Sequence, residues 1–212
     1  WRAGVRYELR ERFTVGAQYL GGRQEFVTAP QARDNDQTGW AVTARYDRER
    51  FYLDGSVGRR KGEARFAGSP YVPFDTTTYS YFASWFVANP VEIQVGGSRG
   101  PVPSISISEN YYLESRNFAA LNVTLGNRFV LRGYGSLGTN AYAGAIGAPA
   151  GTPSRKDDIT EYGAGATIRL SRAIALTPLI SRYETESNYA GVSRTINRLY
   201  LNLDVDFGLE TK

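Results

Sequence analysis

The stretch RLYLNLDVDFG, from Arg198 to Gly208, decides the fold class of this chain. Apolar residues occupy every second position from Leu199 to Phe207, and the positions between them include Asn202 and Asp204. Because successive side chains of a β-strand point to opposite faces of its sheet, this alternation predicts a strand with one apolar and one polar face. The alternation alone does not say which of the two faces is the inside.

The same alternation recurs along the whole chain, in about eleven segments. Clear examples are RAGVRYELR (2–10), GWAVTARYD (39–47) and EYGAGATIRL (161–170). Most segments have about nine or more residues, which is longer than the five or six typical of soluble sheets and enough to cross a bilayer at a tilt. The weakest segment is AIALTPLIS (173–181), where Pro178 predicts a bulge or an irregular position.

The connections between these segments alternate between short and long. Short turns are predicted at residues 10–12, 47–50, 88–90, 126–128 and 171–173. Long connections rich in Pro, Gly and polar residues are predicted at residues 28–37, 67–75, 100–109, 143–157 and 188–193. Regular alternation of this kind predicts an antiparallel up-and-down meander whose two ends face different environments.

Composition excludes several classes of function. The 212 residues contain neither Cys nor His, so disulfides, thiol nucleophiles, serine–histidine catalysis and His-based metal sites are excluded. The net charge is +4 and the charges are mixed along the chain, so nucleic acid is not an expected partner. No apolar run approaches the roughly 20 residues of a transmembrane helix, but a transmembrane β-barrel is compatible with such a sequence.

Two architectures fit an amphipathic meander. A soluble β-barrel or sandwich would hold the apolar face inside, whereas a membrane barrel would turn that face to lipid. Long strands, small residues within the apolar face and aromatic residues at strand ends favour the membrane barrel. The predicted membrane-interface aromatics are Phe51, Trp85 and Phe129 near the short turns, and Trp40, Tyr79 and Tyr162 near the long connections.

Long alternating strands, short turns opposite long connections, aromatic girdles and the lack of Cys make the chain resemble the outer-membrane β-barrels of Gram-negative bacteria. The closing segment SRYETESNYAGVSRTINRLYLNLDVDFGL (181–209) is similar in style to the last hairpin of the β-barrel porin families, some of which accompany exopolysaccharide export. It also resembles the small barrels of the outer-membrane-protein-A type. The resemblance implies location in the bacterial outer membrane, with the lipid bilayer and lipopolysaccharide as partners.

The predicted fold is therefore all-β: a single antiparallel up-and-down transmembrane β-barrel domain over residues 1–212, with about 11–12 strands visible. Single-chain bacterial barrels have an even number of strands. An odd count predicts that one or more N-terminal strands are missing and that the chain is the C-terminal part of a larger barrel. The competing explanation is a miscounted strand within PSISISENYYLE (103–114).

In such a barrel the polar face lines a lumen. One hypothesis is a charged constriction that selects solutes by field and size, and the other is a ladder of cross-strand ion pairs that fills a narrow barrel. Both hypotheses stay open from the sequence. The predicted lumen-lining residues are Arg6, Arg45, Glu92, Glu114, Arg132, Glu161, Arg169, Arg198 and Asp204.

The predicted function is a passive pore or export conduit for polar solutes or polysaccharide. The alternatives are a closed structural or anchoring barrel within an outer-membrane assembly, and a soluble ligand-binding β-barrel. Other protein subunits or a homo-oligomer are open as partners. We expect no enzymatic activity, cofactor or metal site, because Asp204 and Asp206 form a carboxylate pair without a second set of ligands.

Overall fold

The structure is a computed structural model that describes residues 1–27, 33–104, 109–143 and 154–205. In this part the chain forms one antiparallel sheet of eleven strands arranged in sequence order, as the all-β up-and-down prediction requires. No helix of the described residues is both long and apolar enough to cross a membrane. The strands are β1 Arg2–Arg10, β2 Phe13–Gln24, β3 Asn35–Arg48, β4 Phe51–Ala64, β5 Phe74–Ala88, β6 Val91–Pro103, β7 Tyr111–Leu125, β8 Phe129–Tyr142, β9 Lys156–Arg169, β10 Ile174–Ser187 and β11 Arg194–Val205.

Hairpin register keeps like residues on the same face. Val42 of β3 lies opposite Ala17 of β2 and Val57 of β4, so the apolar pattern of one strand continues across its neighbours. In the short turn between β7 and β8, Leu125 pairs with Phe129 and Gly126 has a φ of 60°, a left-handed conformation that glycine adopts without steric cost. The predicted alternation of short and long connections is confirmed.

Several strands extend further toward the long connections than the alternation predicts. β3 already begins at Asn35 and β4 continues to Ala64. In this part of β4 the consecutive residues Arg59, Arg60 and Lys61 place charges on both faces, so no change of polarity marks the strand. The backbone hydrogen bonds between the strands continue in this region, although neither face of the sheet is apolar there.

Pro178 interrupts pairing but not register. Leu176 and Leu179 of β10 keep the same register with β9, while Thr177 and Pro178 between them have no ladder partner in that strand. Proline has no N–H to donate, so a ladder position is lost there. The prediction of an irregular position is confirmed, and the prediction of a bulge is wrong.

One face of the sheet is buried although nothing else in the described chain packs on it as a second layer. With the exception of Gly97, the buried strand residues lie on the face that carries Arg45 and Glu92, which we call the inner face; the opposite side is the outer face. A single-layered sheet can bury one face only by curving around it, so the inner face is concave. The buried inner-face residues other than glycine are Asn35, Ala41, Phe74, Ser84, Ala120, Asn140, Asp157, Ile159, Ser181 and Thr185.

β1 and β11 are the two edges of this sheet, and within the described residues they pair with each other nowhere. Because the count of antiparallel strands is odd, the two edges run in the same direction. Direct pairing between them would be parallel, whereas one additional strand between them would be antiparallel to both. Residues 105–108, within the segment predicted as the place of a miscounted strand, lie outside the described residues.

Candidate functional site

A continuous apolar surface covers the outer face on the side of the short turns. On β4 it consists of Phe51, Leu53, Gly55 and Val57, and the register continues it across the sheet without a charged residue. Its large side chains are strongly exposed, for example Leu201 at 70%. We call this surface the apolar belt; it comprises the outer-face residues within 3–9, 13–19, 40–46, 51–57, 79–85, 91–97, 119–125, 129–137, 162–168, 174–180 and 199–205.

The height of the apolar belt is close to that of a membrane barrel. Seven residues of a strand span about 20 Å at roughly 3.3 Å per residue, and outer-membrane barrels carry an apolar band about 25 Å tall between two aromatic girdles. The six predicted interface aromatics all lie on the outer face at the margins of the belt. They are Phe51, Trp85 and Phe129 at the short-turn margin, and Trp40, Tyr79 and Tyr162 at the other. Their contact with lipid headgroups stays a prediction.

Beyond the belt, toward the long connections, the outer face becomes ionic. Arg59 on β4 donates to Asp75 on β5 with Nε 2.6 Å from Oδ1, and Lys61 lies 3.5 Å from the same carboxylate. Arg23 and Asp36 form a similar pair at 3.2 Å between β2 and β3. We call this zone the outer ion-pair zone.

The outer ion-pair zone was not recognised from the sequence. Its signal was present, because Arg59, Lys61 and Glu63 continue the odd-numbered positions of the belt residues Phe51 to Val57. Ion pairs on exposed strands are compatible with water and not with hydrocarbon. The change from belt to ion pairs therefore marks where a bilayer would end.

The structure brings all nine predicted lumen-lining residues to the inner face. The register places them on the same side of the sheet from β1 to β11. They are Arg6, Arg45, Glu92, Glu114, Arg132, Glu161, Arg169, Arg198 and Asp204. Passage of solutes along this face stays a prediction, and Asp206 lies outside the described residues.

Glu92 is the most firmly held of these charges. Its Oε1 accepts hydrogen bonds from the Ser84 hydroxyl at 2.5 Å and from Gln94 Nε2 at 2.9 Å, and its Oε2 accepts one from Asn122 Nδ2 at 3.0 Å. Asn122 lies opposite both Glu92 and Arg132, so these residues form one row across β6, β7 and β8. Such a network fixes an anion in place beside a cation.

The inner arginines do not form a ladder of cross-strand ion pairs in the described part of the chain. Arg45 pairs within its own strand, with Asp47 at 3.7 Å, and its guanidinium lies 5.0 Å from the Tyr52 ring centroid. Among the predicted lumen-lining arginines, those whose guanidiniums have no described carboxylate within 4.0 Å are Arg6, Arg132, Arg169 and Arg198. In the described part of the chain, direct cross-strand ion pairs therefore do not neutralise these four positive charges.

Aromatic side chains also occupy the inner face. Tyr52 and Phe82 have ring centroids 6.0 Å apart, and Phe82 and Phe118 have theirs 6.3 Å apart. Phe118 reaches Phe82 across Gly96, where an added Cβ would lie 2.4 Å from the Phe118 ring. Glycine at this position is what lets rings from β5 and β7 meet.

The long connections converge over one end of the curved sheet. The Arg33 side chain, between β2 and β3, donates to the backbone oxygen of Ser104 after β6, and its guanidinium lies 4.1 Å from the Phe26 ring centroid. Asp34 accepts from the Phe26 backbone N–H at 2.9 Å and lies 3.5 Å from Arg65. Segments that are far apart in sequence thus meet in one buried polar cluster.

A second contact joins the connection between β4 and β5 to the start of β7. Tyr71, between β4 and β5, is buried and packs on Tyr111 at the start of β7, with ring centroids 6.3 Å apart. Phe74 packs on the same Tyr111 ring at 4.9 Å. Burial raises the pKa of the Tyr71 hydroxyl, so it stays neutral. We call Arg33, Asp34, Arg65, Tyr71 and Tyr111, with their contacts, the end cluster.

No metal site is formed by the residues that the structure describes, since none of their carboxylates gather in a group of three or more.

Comparison with known proteins gives no family for this chain. No family model matches it, and no curated protein matches it either.

Three solved structures share a distant similarity with the chain. The CymD monoaromatic hydrocarbon channel has a TM-score of 0.42 and 10% identity, covering 96% of this chain and 72% of that one. A Pseudomonas aeruginosa FadL homologue has a TM-score of 0.40 and 11% identity, covering 97% and 70%. LpxR from Salmonella typhimurium has a TM-score of 0.35 and 10% identity, covering 96% and 86%. At these values the similarity supports no conclusion about function.

Proposed function

We propose that this chain is a bacterial outer-membrane β-barrel that acts as a passive pore or export conduit for polar solutes or polysaccharide through a charged lumen. The observation that carries the proposal is the reversed polarity of the curved sheet. At the level of the apolar belt its concave face holds the charges, and its convex face exposes large apolar side chains such as Leu199 at 78% and Leu201 at 70%. Soluble monomers rarely expose apolar patches of more than a few hundred Å².

A lipid environment accounts for this reversed polarity, because contact with lipid removes the exposed apolar side chains from water. Transfer of a Leu side chain out of water stabilises a protein by roughly 1.5–3 kcal/mol, and the apolar belt repeats such residues on every strand. The backbone ladder pairs each strand of the belt with its neighbours, with gaps at Thr177 and Pro178 opposite β9, and leaves β1 and β11 as open edges. Hydrocarbon favours such pairing, because it offers backbone groups no other hydrogen-bond partners. The proposed partners are accordingly the lipid bilayer and the lipopolysaccharide of its outer leaflet.

The inner face supports the pore rather than a filled barrel. Predicted lumen-lining arginines that have no described carboxylate within 4.0 Å keep a field that acts on mobile ions. A unit charge at about 4 Å in water contributes about 1 kcal/mol, or roughly a fivefold change in local ion concentration. Fixed charges of this kind select ions by sign and solutes by size.

Conductance across a planar bilayer tests this proposal. The wild-type chain is expected to give stepwise currents, and R132Q with R169Q is expected to shift the ion selectivity toward cations. The matched control is R182Q, because Arg182 lies on the outer face in an ion pair with Glu184. Equal selectivity in all three proteins would refute a role for the inner arginines.

A closed structural or anchoring barrel is the second candidate, favoured by the end cluster. Arg33, Asp34 and Tyr71 are all buried where the long connections meet, so they cover part of that end of the sheet. A chain that inserts into bilayers with its full strand content but passes no current at any voltage would establish this candidate instead. Such a barrel would serve as a subunit of a larger assembly or homo-oligomer.

A soluble ligand-binding barrel is disfavoured by the exposed apolar belt. The discriminating measurement is the state of the purified chain without detergent. The membrane proposal requires aggregation or insertion into vesicles, and a stable monodisperse solution would refute it. Catalysis is not part of the proposed function, because a chain without Cys and His lacks the usual nucleophile–base pairs.

We also propose that one more strand, not among the eleven described, closes the barrel between β1 and β11. Open edges are not tolerated in hydrocarbon, because each unpaired backbone group costs several kcal/mol there. A single added strand pairs with both edges in antiparallel fashion and makes the strand number even, as in bacterial single-chain barrels.

A further inference from the structure

A large cavity lies on the inner face at the long-connection end of the sheet. Its volume is about 780 Å³, within the roughly 300–1,000 Å³ typical of small-molecule pockets. Strands β6 to β11 contribute to its wall, and Glu109, Arg155 and residues 191–193 add to it from three long connections. None of these residues was singled out by the sequence pattern as a site.

Three buried side-chain oxygens of the cavity wall have no hydrogen-bond partner among the described residues. They are Glu109 Oε2, Asn140 Oδ1 and Thr185 Oγ1. All three residues are more than nine-tenths buried, with exposed fractions of 8%, 8% and 6%. Unpaired buried polar groups are rare in folded proteins because each costs about 1–3 kcal/mol, so three in one cavity indicate a ligand that pairs with them.

The three oxygens can all accept hydrogen bonds, and therefore the ligand must be rich in donors. A carboxylate and an amide oxygen donate nothing, while the Thr185 hydroxyl both accepts and donates. Inorganic anions offer acceptors and would be repelled by Glu109. Metal cations accept oxygen ligands, but Arg194, which has no described carboxylate within 4.0 Å, also lines the cavity and would repel them.

Tyrosine rings supply the apolar part of the wall. Tyr112 and Tyr142 lie opposite each other in the ladder with ring centroids 5.1 Å apart, and Tyr183 lines the same cavity. Arg155 lies over Tyr142 at 4.2 Å and donates to both oxygens of Asp157, which neutralises that charge pair. A molecule with C–H faces and many hydroxyl groups fits this wall, because its C–H faces can pack on the tyrosine rings and its hydroxyls can donate to the unpaired oxygens.

We propose that this cavity is a binding subsite for a sugar unit, whose hydroxyls pair with Glu109, Asn140 and Thr185 and whose ring packs on the tyrosines. This subsite rests on the proposed function, because it specifies the substrate of the proposed conduit as a polyhydroxylated molecule that binds at the long-connection end. Uncharged hydroxyls also accept hydrogen bonds from Arg116 and Arg194, so the ligand serves both the donors and the acceptors of the wall.

Calorimetric titration of the full chain in detergent tests the subsite. The probes are maltotriose, triacetylchitotriose and trigalacturonic acid, with inorganic phosphate and Ca²⁺ titrated separately. At least one trisaccharide is expected to bind saturably. T185V and N140L, which remove an acceptor each, are expected to weaken that binding about threefold to tenfold. The matched control is T139V, which changes the neighbouring outer-face residue and is expected to leave binding unchanged.

The outcomes separate the subsite from the pore. Absence of saturable trisaccharide binding at millimolar concentrations, or binding that T185V and N140L leave unchanged, would overturn the subsite. Binding of phosphate or Ca²⁺ in place of every trisaccharide would overturn its ligand class. A chain that conducts ions without binding sugar refutes only the subsite, whereas a chain that binds sugar without conducting supports the subsite and refutes the pore. Circular dichroism confirms that each variant retains its strands.

Discussion

Replacing Val42 by arginine is the sharpest test of which solvent the outer face contacts. Val42 lies in β3, a strand paired on both sides, and its side chain is 47% exposed. Along the strand it is about 7 Å from Trp40 and about 13 Å from Tyr46, the aromatic residues at the two margins of the belt. The substitution therefore introduces a charge near the middle of the apolar belt.

The expected magnitude differs between lipid and water. An arginine on the lipid face of a membrane barrel costs about 2–4 kcal/mol at the bilayer midplane and about 0–1 kcal/mol near the interfaces. The same replacement of a half-exposed valine in water changes stability by no more than about 0.5 kcal/mol. The membrane interpretation thus predicts that V42R lowers the free energy of unfolding by about 2–3 kcal/mol.

The assay is reversible urea unfolding of the chain inserted in lipid vesicles, followed by tryptophan fluorescence. The matched control is T43R, because Thr43 is the next residue of the same strand and lies on the inner face. T43R is expected to stay within about 1 kcal/mol of the wild type, since the inner face already carries arginines in a polar environment. Equal effects of V42R and T43R, or a V42R effect below about 0.5 kcal/mol, would refute the assignment of the outer face to lipid.

Three further predictions address the belt margin, the edges and the end of the sheet. With Trp1 and Trp85 replaced by phenylalanine, the remaining Trp40 should be quenched most by lipids labelled near the headgroup; quenching only by aqueous iodide would contradict this. Cysteine pairs at Val5 and along β11 should react with a cross-linker of about 10 Å, two strand spacings, and form no direct disulfide, which requires Cα atoms within about 7 Å. A direct disulfide would refute the additional strand. Burial raises the pKa of the Glu109 carboxyl, so the folded state holds that proton more tightly and loses stability as the pH rises through this pKa. In urea unfolding, E109Q should therefore be more stable than the wild type at neutral pH and equally stable in acid. The same difference in stability at both pH values would contradict this prediction.

Strand faces were predictable because they depend on local alternation. The residues assigned to the polar side, such as Arg45 and Glu92, and those assigned to the apolar side, such as Trp40 and Phe129, all lie on the faces that the sequence predicts. Alternation with a period of two assigns side chains to the same faces in every register that places apolar residues opposite apolar residues. Strand ends were predicted less well. Near the end of β4, Arg59, Arg60 and Lys61 make both faces of the strand charged, so the alternation between polar and apolar residues disappears before the strand ends.

The contacts between distant segments were not predictable. Arg33 and Ser104 meet at the end cluster although 71 positions separate them. The cavity oxygens of Glu109, Asn140 and Thr185 come from one long connection, β8 and β10. Neither set shows a spacing or a motif, because the residues become neighbours only through sheet curvature and loop placement.

The sequence by itself therefore determines the strands, their order as hairpins and the division of their side chains into a polar and an apolar face, since these follow from near-neighbour geometry. Only the tertiary structure decides that the polar face is concave, that the inner arginines form no ladder of cross-strand ion pairs with the described carboxylates, and that the long connections meet over one end. The physical reason is that the curvature of the sheet results from small twists between neighbouring strands that accumulate over eleven strands, and the residue pattern of a single strand does not indicate this total.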